Sequence, residues 1–486
     1  MPNADVTESP LLKHLTGYVN GAFLPATERG LDVRDPADGS VVARLPSYGR
    51  PVALRAIESA ERALGAPPSL ADRRRWLEAV AGAHASHRED LARIITRENG
   101  KPLAEARGEV DYAAGFYADA ARRVEQLAPR TLEGSVRGHR WRVYCRPAGV
   151  AGLIVPWNFP LAMLAKKASA ALAAGAPMVV KPAETTPLSS IALFHLLHAL
   201  DLPKGLVNLV FGDAPAIGQA LCTHPAVRVI SFTGSTAVGR LLSAQAAPHV
   251  KRMALELGGN APFLVFDDAD LEPSADALIA NKFRCSGQTC VCTNRVYVQQ
   301  GIRERFVALV AERVAALKVG PGLSPDSQVG PLINRAGFAK VRELVVDAVR
   351  HGARAVVGGA PEVPAEGQPT FYPPTLLDGV SGGARCLREE VFGPVIPMVG
   401  FDGEDEVVQA ANDTEYGLAA YVFTRSDERA ERVLARLSFG HVGWNTAVGP
   451  APEAPFGGMK QSGLGREGGL EGILEMVELQ TVPSPA

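Results

Sequence analysis

The sequence has little net charge and no long run of charges of one sign. Its 486 residues carry a formal net charge of −2, because lysine and arginine nearly balance aspartate and glutamate. Nucleic acids and anionic membranes attract surfaces that are strongly basic. We therefore expect a neutral partner or a small molecule, and neither nucleic acid nor a membrane.

Targeting and membrane-spanning segments are also missing. Residues 1–8 lack the basic and apolar regions of a signal peptide. The longest apolar stretches are broken by prolines and by Asn158, Lys166 and Lys167, so none is predicted to cross a bilayer. These features predict a cytoplasmic protein whose thiols are mainly reduced.

Several familiar catalytic and metal-binding motifs do not occur. There is no H-E-x-x-H, no G-x-S-x-G and no P-loop. Residues 463–468 match the dinucleotide pattern G-x-G-x-x-G, but no predicted strand precedes them, so we interpret the match as chance. Cys285, Cys290 and Cys292 are spaced C-x4-C-x-C without a histidine in 281–300, which is not typical of a zinc site, and no metal is predicted.

The chain is long and has enough apolar residues to form more than one hydrophobic core. Because 47% of its residues are hydrophobic and its length exceeds what one core usually supports, two or three domains are expected. Turn residues separate short predicted strands within 16–45. Apolar residues at helical spacing then predict helices near 51–64, 70–97 and 101–124.

Two series of buried strands that alternate with helices follow, which predicts an α/β fold with two doubly wound domains. The first series has strands at 150–155, 178–181, 207–211, 227–232 and 252–257 and helices near 161–174, 187–200, 214–222 and 236–246. The second has strands near 262–266, 294–299, 352–358, 394–401 and 418–424 and helices near 268–283, 301–317, 332–350, 404–412 and 426–437. A strand near 136–147 and the tail beyond 456 are candidates for a small β element at an oligomer edge.

Polar residues gather at the predicted carboxyl ends of the first series, where parallel sheets bind their ligands. Asn158 follows one strand, where its amide could donate to an oxyanion or could form an Asx turn before Pro160. Lys181 and Glu184 follow another strand. They could bind ribose hydroxyls, or Glu184 could simply precede a helix.

The turn at 234–239 and Glu256 lie at the ends of two further strands of this series. The turn opens a helix whose free N–H groups can bind an anion, although an ordinary glycine turn capped by Ser235 or Thr236 is the alternative. Glu256 could be a general base or a surface acid. No single residue is decisive, but their convergence on one sheet edge favours a ligand site.

Cys290 is the candidate nucleophile. A thiol is nucleophilic as the thiolate, which needs a polar, partly exposed setting such as a backbone turn. The turn Gly287-Gln288-Thr289 directly precedes Cys290. An inert, packed thiol is the alternative that local sequence leaves equally open.

Seven short motifs are spread along nearly the whole chain. They are Pro156-Trp157-Asn158-Phe159-Pro160, Lys181-Pro182-Ala183-Glu184, Phe232-Thr233-Gly234-Ser235-Thr236, Leu255-Glu256-Leu257-Gly258-Gly259, Gly287-Gln288-Thr289-Cys290, Glu389-Glu390-Val391-Phe392-Gly393-Pro394 and Pro455-Phe456-Gly457-Gly458. In order and spacing this set resembles the NAD(P)-dependent aldehyde dehydrogenase superfamily. Within it, the stretches 282–284, 289–295 and 460–468 look most like succinate-semialdehyde dehydrogenases.

The resemblance implies oxidation of an aldehyde to its acid through a thioester. Cys290 would be the nucleophile and Glu256 the general base, while Asn158 and the backbone N–H of Cys290 would form the oxyanion hole. The expected cofactor is NAD, with NADP possible, because Glu184 would repel a 2′-phosphate. The implied cofactor-binding residues are Val155, Pro156, Trp157, Lys181, Ala183, Glu184, Gly234, Ser235, Gly239, Leu257, Glu390 and Phe392.

The resemblance also implies how the chain is divided and assembled. Residues 1–124 and 148–256 would form the cofactor domain and residues 257–455 the catalytic domain. Residues 125–147 and 456–486 would form the oligomerisation element of a homodimer or homotetramer.

Arg284 and Lys166 are the residues that the resemblance assigns to the substrate. In succinate-semialdehyde dehydrogenases, arginines and a serine hold the distal carboxylate. Arg284 matches one arginine, but Lys166 replaces the other and the serine is absent near 450–452. Lysine cannot form the two parallel hydrogen bonds that an arginine guanidinium forms with a carboxylate. Alternatively, Lys166 could lie on a solvated helix face beside Lys167.

Succinate semialdehyde is the first expectation for the substrate. Another semialdehyde or an aromatic aldehyde is the alternative. A cysteine hydrolase or acyl transferase would also use Cys290, but it would need a partnering histidine and no ribose-binding edge.

Overall fold

The computed structural model describes residues 6–26, 29–134 and 136–485, without the side chain of Arg29. Residues 1–5 of the N-terminal segment that lacks signal-peptide features lie outside the described residues. No helix among the described residues is both long and apolar enough to cross a membrane.

The described residues form fourteen α-helices. They are α1 (Arg50–Ala63), α2 (Leu70–Ser86), α3 (Arg88–Asn99), α4 (Leu103–Arg123), α5 (Pro160–Ala174), α6 (Leu188–His198), α7 (Ala214–Thr223), α8 (Thr236–Ala246), α9 (Leu271–Phe283), α10 (Gln300–Ala315), α11 (Arg335–Arg350), α12 (Glu404–Asn412), α13 (Asp427–Leu434) and α14 (Gly469–Leu474).

The described residues also form 22 strands. They are β1 (Tyr18–Val19), β2 (Ala22–Phe23), β3 (Arg29–Arg34), β4 (Val41–Pro46), β5 (Arg130–Glu133), β6 (His139–Pro147), β7 (Val150–Ile154), β8 (Met178–Lys181), β9 (Val207–Leu209), β10 (Val227–Thr233), β11 (Arg252–Glu256), β12 (Ala261–Val265), β13 (Thr293–Gln299), β14 (Arg354–Val357), β15 (Thr375–Asp378), β16 (Val395–Phe401), β17 (Tyr416–Gly417), β18 (Ala419–Phe423), β19 (His441–Trp444), β20 (Met459–Lys460), β21 (Gly463–Leu464) and β22 (Val477–Pro485).

The first series of strands builds an eight-stranded sheet in the order β2-β1-β9-β8-β7-β10-β11-β21. Its central strands β8, β7, β10 and β11 are parallel. Every residue of β7 and β8 is buried, as expected for parallel strands with helices on both faces. The predicted α/β class is confirmed, and the carboxyl ends of these strands meet at one edge of the sheet.

The second series builds a seven-stranded sheet in the order β14-β15-β16-β13-β12-β18-β19. The sequence does not predict β15 or β19. Each has only four residues; β15 follows Pro373-Pro374, and β19 begins with a histidine and contains a glycine. Neither has the long apolar run that marks a buried strand.

The helix predicted at 70–97 is two helices that meet at His87. This residue leaves the helical conformation at φ −112° and ψ 22°. Its N–H still donates to Ala83 (3.0 Å), and its carbonyl accepts from Leu91 (3.0 Å). Because the hydrogen bonds continue across the bend, the apolar spacing does not reveal it.

A three-stranded sheet has the order β22-β6-β5. The tail could have added an edge strand or a helix to another subunit; in this chain β22 pairs with β6 along its full length, from Val477 opposite Pro147 to Pro485 opposite His139. The tail and the predicted edge strand therefore form one element. Its role in assembly stays a prediction, as do the domain boundaries.

The G-x-G-x-x-G match at 463–468 does not form a phosphate-binding turn. Gly463 and Leu464 instead make β21, which pairs antiparallel with Glu256 and Leu255 of β11. This segment closes the edge of the first sheet beside Glu256.

Candidate active site

A cavity of about 650 Å³ lies at the carboxyl ends of the first sheet and against the cysteine loop. Most of the residues singled out from the sequence line it, and they come from segments far apart in the chain. They are Pro156, Trp157, Asn158, Lys166, Gly234, Ser235, Glu256, Leu257, Arg284, Cys290, Glu390 and Phe392.

The other five predicted residues do not line this cavity. Val155 and Ala183 are buried, and Lys181 forms an ion pair with Glu184. Gly239 lies in the first turns of α8, where a Cβ atom would come within 2.4 Å of Leu257 Cδ2. Glycine at 239 therefore allows α8 to pack closely against the cavity wall.

Asn158 is buried at the end of the segment that follows β7. Its Nδ2 donates to the carbonyl of Gln288 (2.9 Å), and its Oδ1 accepts from the N–H of Phe159 (3.1 Å). The amide therefore lies against the cysteine loop, with its donor engaged by a backbone carbonyl. Its role in an oxyanion hole stays a prediction.

A buried ion pair fixes the backbone of Asn158. Lys101 Nζ donates to Glu109 Oε2 (2.6 Å) and to the Asn158 carbonyl (2.7 Å). Glu109 Oε1 also accepts from the N–H groups of Leu161 (2.9 Å) and Ala162 (3.2 Å), at the start of α5. A carboxylate at this end of a helix satisfies free N–H groups and complements the helix dipole.

The loop before Cys290 has an uncommon backbone. Cys285 and Ser286 both have left-handed conformations, with φ of 49° and 57°, and Gly287 follows with φ 74°. A Cβ atom on Gly287 would lie 2.2 Å from the carbonyl oxygen of Gly393. Strained backbone of this kind persists only where surrounding contacts enforce it, and it places Cys290 at the cavity wall.

The thiol of Cys290 is half-buried and free. Its pKa is raised to about 12, mainly by burial and also by the nearby carboxyl groups of Glu390 and Glu256. The neutral thiol is therefore the form that the protein alone favours at neutral pH.

Glu256 is buried at the end of β11, and neither of its carboxyl oxygens has a hydrogen-bond partner among the described residues. Burial raises its pKa well above the ordinary range, and the negative charge of Glu467 raises it further. Lys166 and Lys167 oppose this effect. The alternative of a surface acid is therefore wrong for Glu256.

The solvated helix face considered for Lys166 is also wrong, because Lys166 and Lys167 are both buried in α5. Lys166 Nζ lies 3.3 Å from Glu467 Oε2, and Lys167 donates to Glu467 Oε1 and to the hydroxyl of Thr233 (2.7 Å). Glu467 was not identified from the sequence as a site residue, since it lies in a glycine-rich tail and its lysine partners are 300 residues away.

Glu390 and Phe392 form the opposite wall. Glu390 Oε1 accepts from the N–H of Gly259 (3.1 Å), and burial raises the pKa of Glu390 to about 7. The ring of Phe392 packs edge-on against Trp157 at 5.5 Å, and Phe392 has a φ of 54°. The two aromatic rings bound this part of the cavity.

The features expected of a dinucleotide site are compatible with this geometry. The N-terminus of α8 opens beside Gly234 and Ser235, and the first N–H groups of a helix have no acceptor within it. The hydroxyl of Ser235 accepts from Val238 (3.4 Å) as an N-cap. Among the described residues, no group of three or more His, Cys, Asp or Glu is placed to hold a metal ion.

Arg284 is one of two exposed cations that line the cavity, the other being Lys340. Its guanidinium lies over the ring of Phe159 at 5.0 Å, and Gly449 is next to it. Apolar side chains line much of the surrounding wall, among them Met163 and Phe456. This part of the cavity can accept an aldehyde with an acidic far end.

Comparison with known proteins points to one family. The sequence profile of the Aldehyde dehydrogenase family matches residues 23–482. The chain is 44% identical to the NADP(+) succinate-semialdehyde dehydrogenase of Escherichia coli K12, over 95% of this chain and 96% of that protein. It is also 44% identical to the glutarate-semialdehyde dehydrogenase of Pseudomonas putida KT2440, over 95% of this chain and 96% of that protein.

A solved structure of an oxidoreductase from Marinobacter aquaeolei superimposes with a TM-score of 0.95 and 53% identity. The alignment covers 98% of this chain and 99% of that one.

Replacing Lys101 with methionine should destabilise the protein. The change leaves the Glu109 carboxylate buried without its cation, so we expect the free energy of unfolding to fall by about 3 kcal/mol. Urea unfolding measures this change. Arg107→Gln, on the helix that carries Glu109, removes an exposed ion pair with Glu89 and is the control. It should change the free energy by less than about 1 kcal/mol, and equal losses in the two variants would contradict the role of the buried pair.

Proposed function

This chain belongs to the aldehyde dehydrogenase family and is an NAD(P)-dependent oxidoreductase that acts on aldehydes. On that basis we propose that it oxidises succinate semialdehyde to succinate, with Cys290, Glu256 and Asn158 as catalytic residues. The observation that carries the proposal is a single cavity lined by the Cys290 thiol, the unpaired Glu256 carboxyl and the Arg284 guanidinium.

The proposed reaction begins when the Cys290 sulfur adds to the aldehyde carbon. The thiol proton must leave first, because the pKa of Cys290 is raised to about 12, and Glu256 is the unpaired carboxyl in the same cavity that can accept it. Asn158 Nδ2 donates to the Gln288 carbonyl in this structure. In the reaction it would donate to the oxyanion of the adduct. Such a donor typically contributes about 3 kcal/mol to transition-state stabilisation.

The second half of the reaction is hydrolysis. The bound nicotinamide supplies the hydride acceptor. With the hydride accepted there, the substrate would remain on Cys290 as a thioester, and water would then attack this thioester to release the acid and the Cys290 thiol. Once Glu256 has released the thiol proton to solvent, it would take the proton from that water, since a general base works best when its pKa lies near the working pH.

The cofactor would lie along the edge formed by the predicted binding residues. The N-terminus of α8 at Gly234 and Ser235 would bind the pyrophosphate, and Lys181 with Glu184 the adenosine ribose. Glu390 would hold the nicotinamide ribose beside Phe392. We propose NAD over NADP because the Glu184 carboxylate would repel a 2′-phosphate.

The proposed substrate rests on Arg284 and on the relatives. The Escherichia coli and Pseudomonas putida relatives are named for succinate semialdehyde and glutarate semialdehyde, which both carry a carboxylate at the far end. A positive charge on the exposed Arg284 would attract such a group. Glutarate semialdehyde is the second candidate on the same ground.

A cysteine hydrolase is less well supported. Such an enzyme would use a histidine to activate Cys290, and no histidine among the described residues lines the cavity. A cytoplasmic location is a further proposal. A homodimer or homotetramer is another, supported by exposed Leu132, Leu479 and Val482 on the β22-β6-β5 sheet. Light scattering would measure the mass of the assembly.

An aldehyde panel tests the proposed substrate. We expect kcat/KM for succinate semialdehyde to exceed that for butanal at least about tenfold, because an ion-paired hydrogen bond contributes roughly 1.5–3 kcal/mol. NADH formation measures both rates, with benzaldehyde and glutarate semialdehyde included. Cys290→Ser should be inactive with every aldehyde. Equal kcat/KM for succinate semialdehyde and butanal would refute the substrate and leave the aldehyde chemistry intact.

Replacing Glu256 with glutamine tests the general base. Since the pKa of Glu256 is raised, its base form grows as pH increases, and kcat of the unaltered enzyme should rise with pH around neutrality. Glu256→Gln should lower kcat by about 10²-fold or more and abolish that rise. Glu105→Gln is the control, since Glu105 is a second buried carboxyl at the cavity wall with a pKa raised to about 6. A variant that keeps the pH-dependent rise would exclude Glu256 as the base.

Kinetics with both cofactors test the role of Glu184. The unaltered enzyme should have a higher kcat/KM with NAD, and Glu184→Gln should raise kcat/KM with NADP about tenfold by removing a like charge. Thr185→Val, at the adjacent position, controls for local disturbance. A tenfold preference of the unaltered enzyme for NADP would contradict the assignment.

A further inference from the structure

One wall of the cavity is made by α4, which places Glu105, Gly108, Glu109 and Tyr112 along one face of the helix. Glu105 and Glu109 both have protein partners, since Glu105 accepts from the N–H of Cys285 (2.7 Å) and Glu109 binds Lys101. Tyr112 differs from them. Its hydroxyl oxygen is buried and has no hydrogen-bond partner among the described residues.

The ring of Tyr112 is fixed by its neighbours. It packs edge-on against Phe116, with 4.7 Å between ring centroids and an angle of 66° between the planes. The charges of Lys166 and Arg284 both act on its hydroxyl. Burial nevertheless raises the pKa of Tyr112, so the phenol keeps its proton and can donate a hydrogen bond at neutral pH.

Lys166 is poorly placed to bind the substrate itself. Its ammonium lies 3.3 Å from Glu467 Oε2 and 4.5 Å from the ring centroid of Phe456. The ammonium of Lys166 is thus already paired with a carboxylate of the protein, which it shares with Lys167.

Arg284 has no such carboxylate partner among the ion pairs of the described residues. Lys340 also lines the cavity, but its charge acts on Glu390, whereas that of Arg284 acts on Tyr112. An acidic substrate beside Tyr112 therefore meets the Arg284 cation, and a second donor is needed to orient it.

We propose that the Tyr112 hydroxyl donates a hydrogen bond to the acidic far end of the substrate, beside the Arg284 guanidinium, and so determines specificity for acidic aldehydes. This inference rests on the proposed oxidation of a semialdehyde. A phenylalanine would fill the same space, so the hydroxyl is explained by a ligand acceptor within the cavity. Lys166 then acts indirectly, by holding Glu467 and adding positive potential to the wall.

Tyr112→Phe tests the proposal. We expect KM for succinate semialdehyde to rise about tenfold with kcat changed less than about twofold, because a hydrogen bond to a charged group is lost while the reacting atoms are untouched. KM for butanal, which has the same chain length without the carboxylate, should not change. Binding of succinate to the unreacted enzyme should weaken by a similar factor.

Tyr117→Phe is the matched control. Tyr117 is on the same helix and also has a buried hydroxyl without a partner among the described residues, but it packs against His84 at 5.3 Å and does not line the cavity. Loss of the Tyr117 hydroxyl should leave unchanged the KM for succinate semialdehyde, the KM for butanal and the binding of succinate. Thermal unfolding of both variants shows whether either change disturbs folding.

The outcomes separate this inference from the proposed function. If the unaltered enzyme prefers succinate semialdehyde but Tyr112→Phe keeps its KM and its affinity for succinate, the role of Tyr112 is overturned and the function stands. If the unaltered enzyme has no preference for the acidic aldehyde, both fail. Equal increases in KM for butanal and succinate semialdehyde would show a packing role and would also overturn the proposal.

Discussion

The geometry of the cavity depends on one buried carboxylate, Glu467, held between Lys166 and Lys167 of α5. These buried charges are tolerated because opposite charges lie against one another: Lys167 donates to Glu467, and Lys166 lies 3.3 Å from its other oxygen. The cluster joins the C-terminal segment to α5, which follows the Asn158 turn. It also supplies the negative charge that helps to keep Glu256 protonated.

A second buried pair acts on the other side of α5. Lys101 and Glu109 hold the backbone of Asn158 and the first N–H groups of the helix. Of the catalytic residues that we propose, Glu256 ends β11, while Asn158 and Cys290 lie on loops that are held by buried side chains. This arrangement is how loops can hold reactive groups to the precision that catalysis requires.

The sequence predicts the fold class well because the strands of a parallel sheet are continuous apolar runs that can be recognised one at a time. It also singles out the residues at strand ends, since Asn158, Glu184, Gly234 and Glu256 occupy places that the sheet topology brings together. It does not reveal the environment of Lys166. A lysine beside another lysine indicates an exposed face, and its burial follows from Glu467, which only the folded chain brings near. The unpartnered hydroxyl of Tyr112 escapes notice for the same reason, because its spacing on α4 is that of an ordinary core residue.

The short strand β21 has a consequence for how the enzyme is made. It closes the edge of the first sheet beside Glu256, and Glu467 enters the cavity three residues later. During translation, the two lysines of α5 are synthesised 300 residues before their counter-ion. Nascent chains therefore carry an incomplete pocket until residue 467 has been added, and products truncated before it would lack the carboxylate that pairs with Lys166 and Lys167.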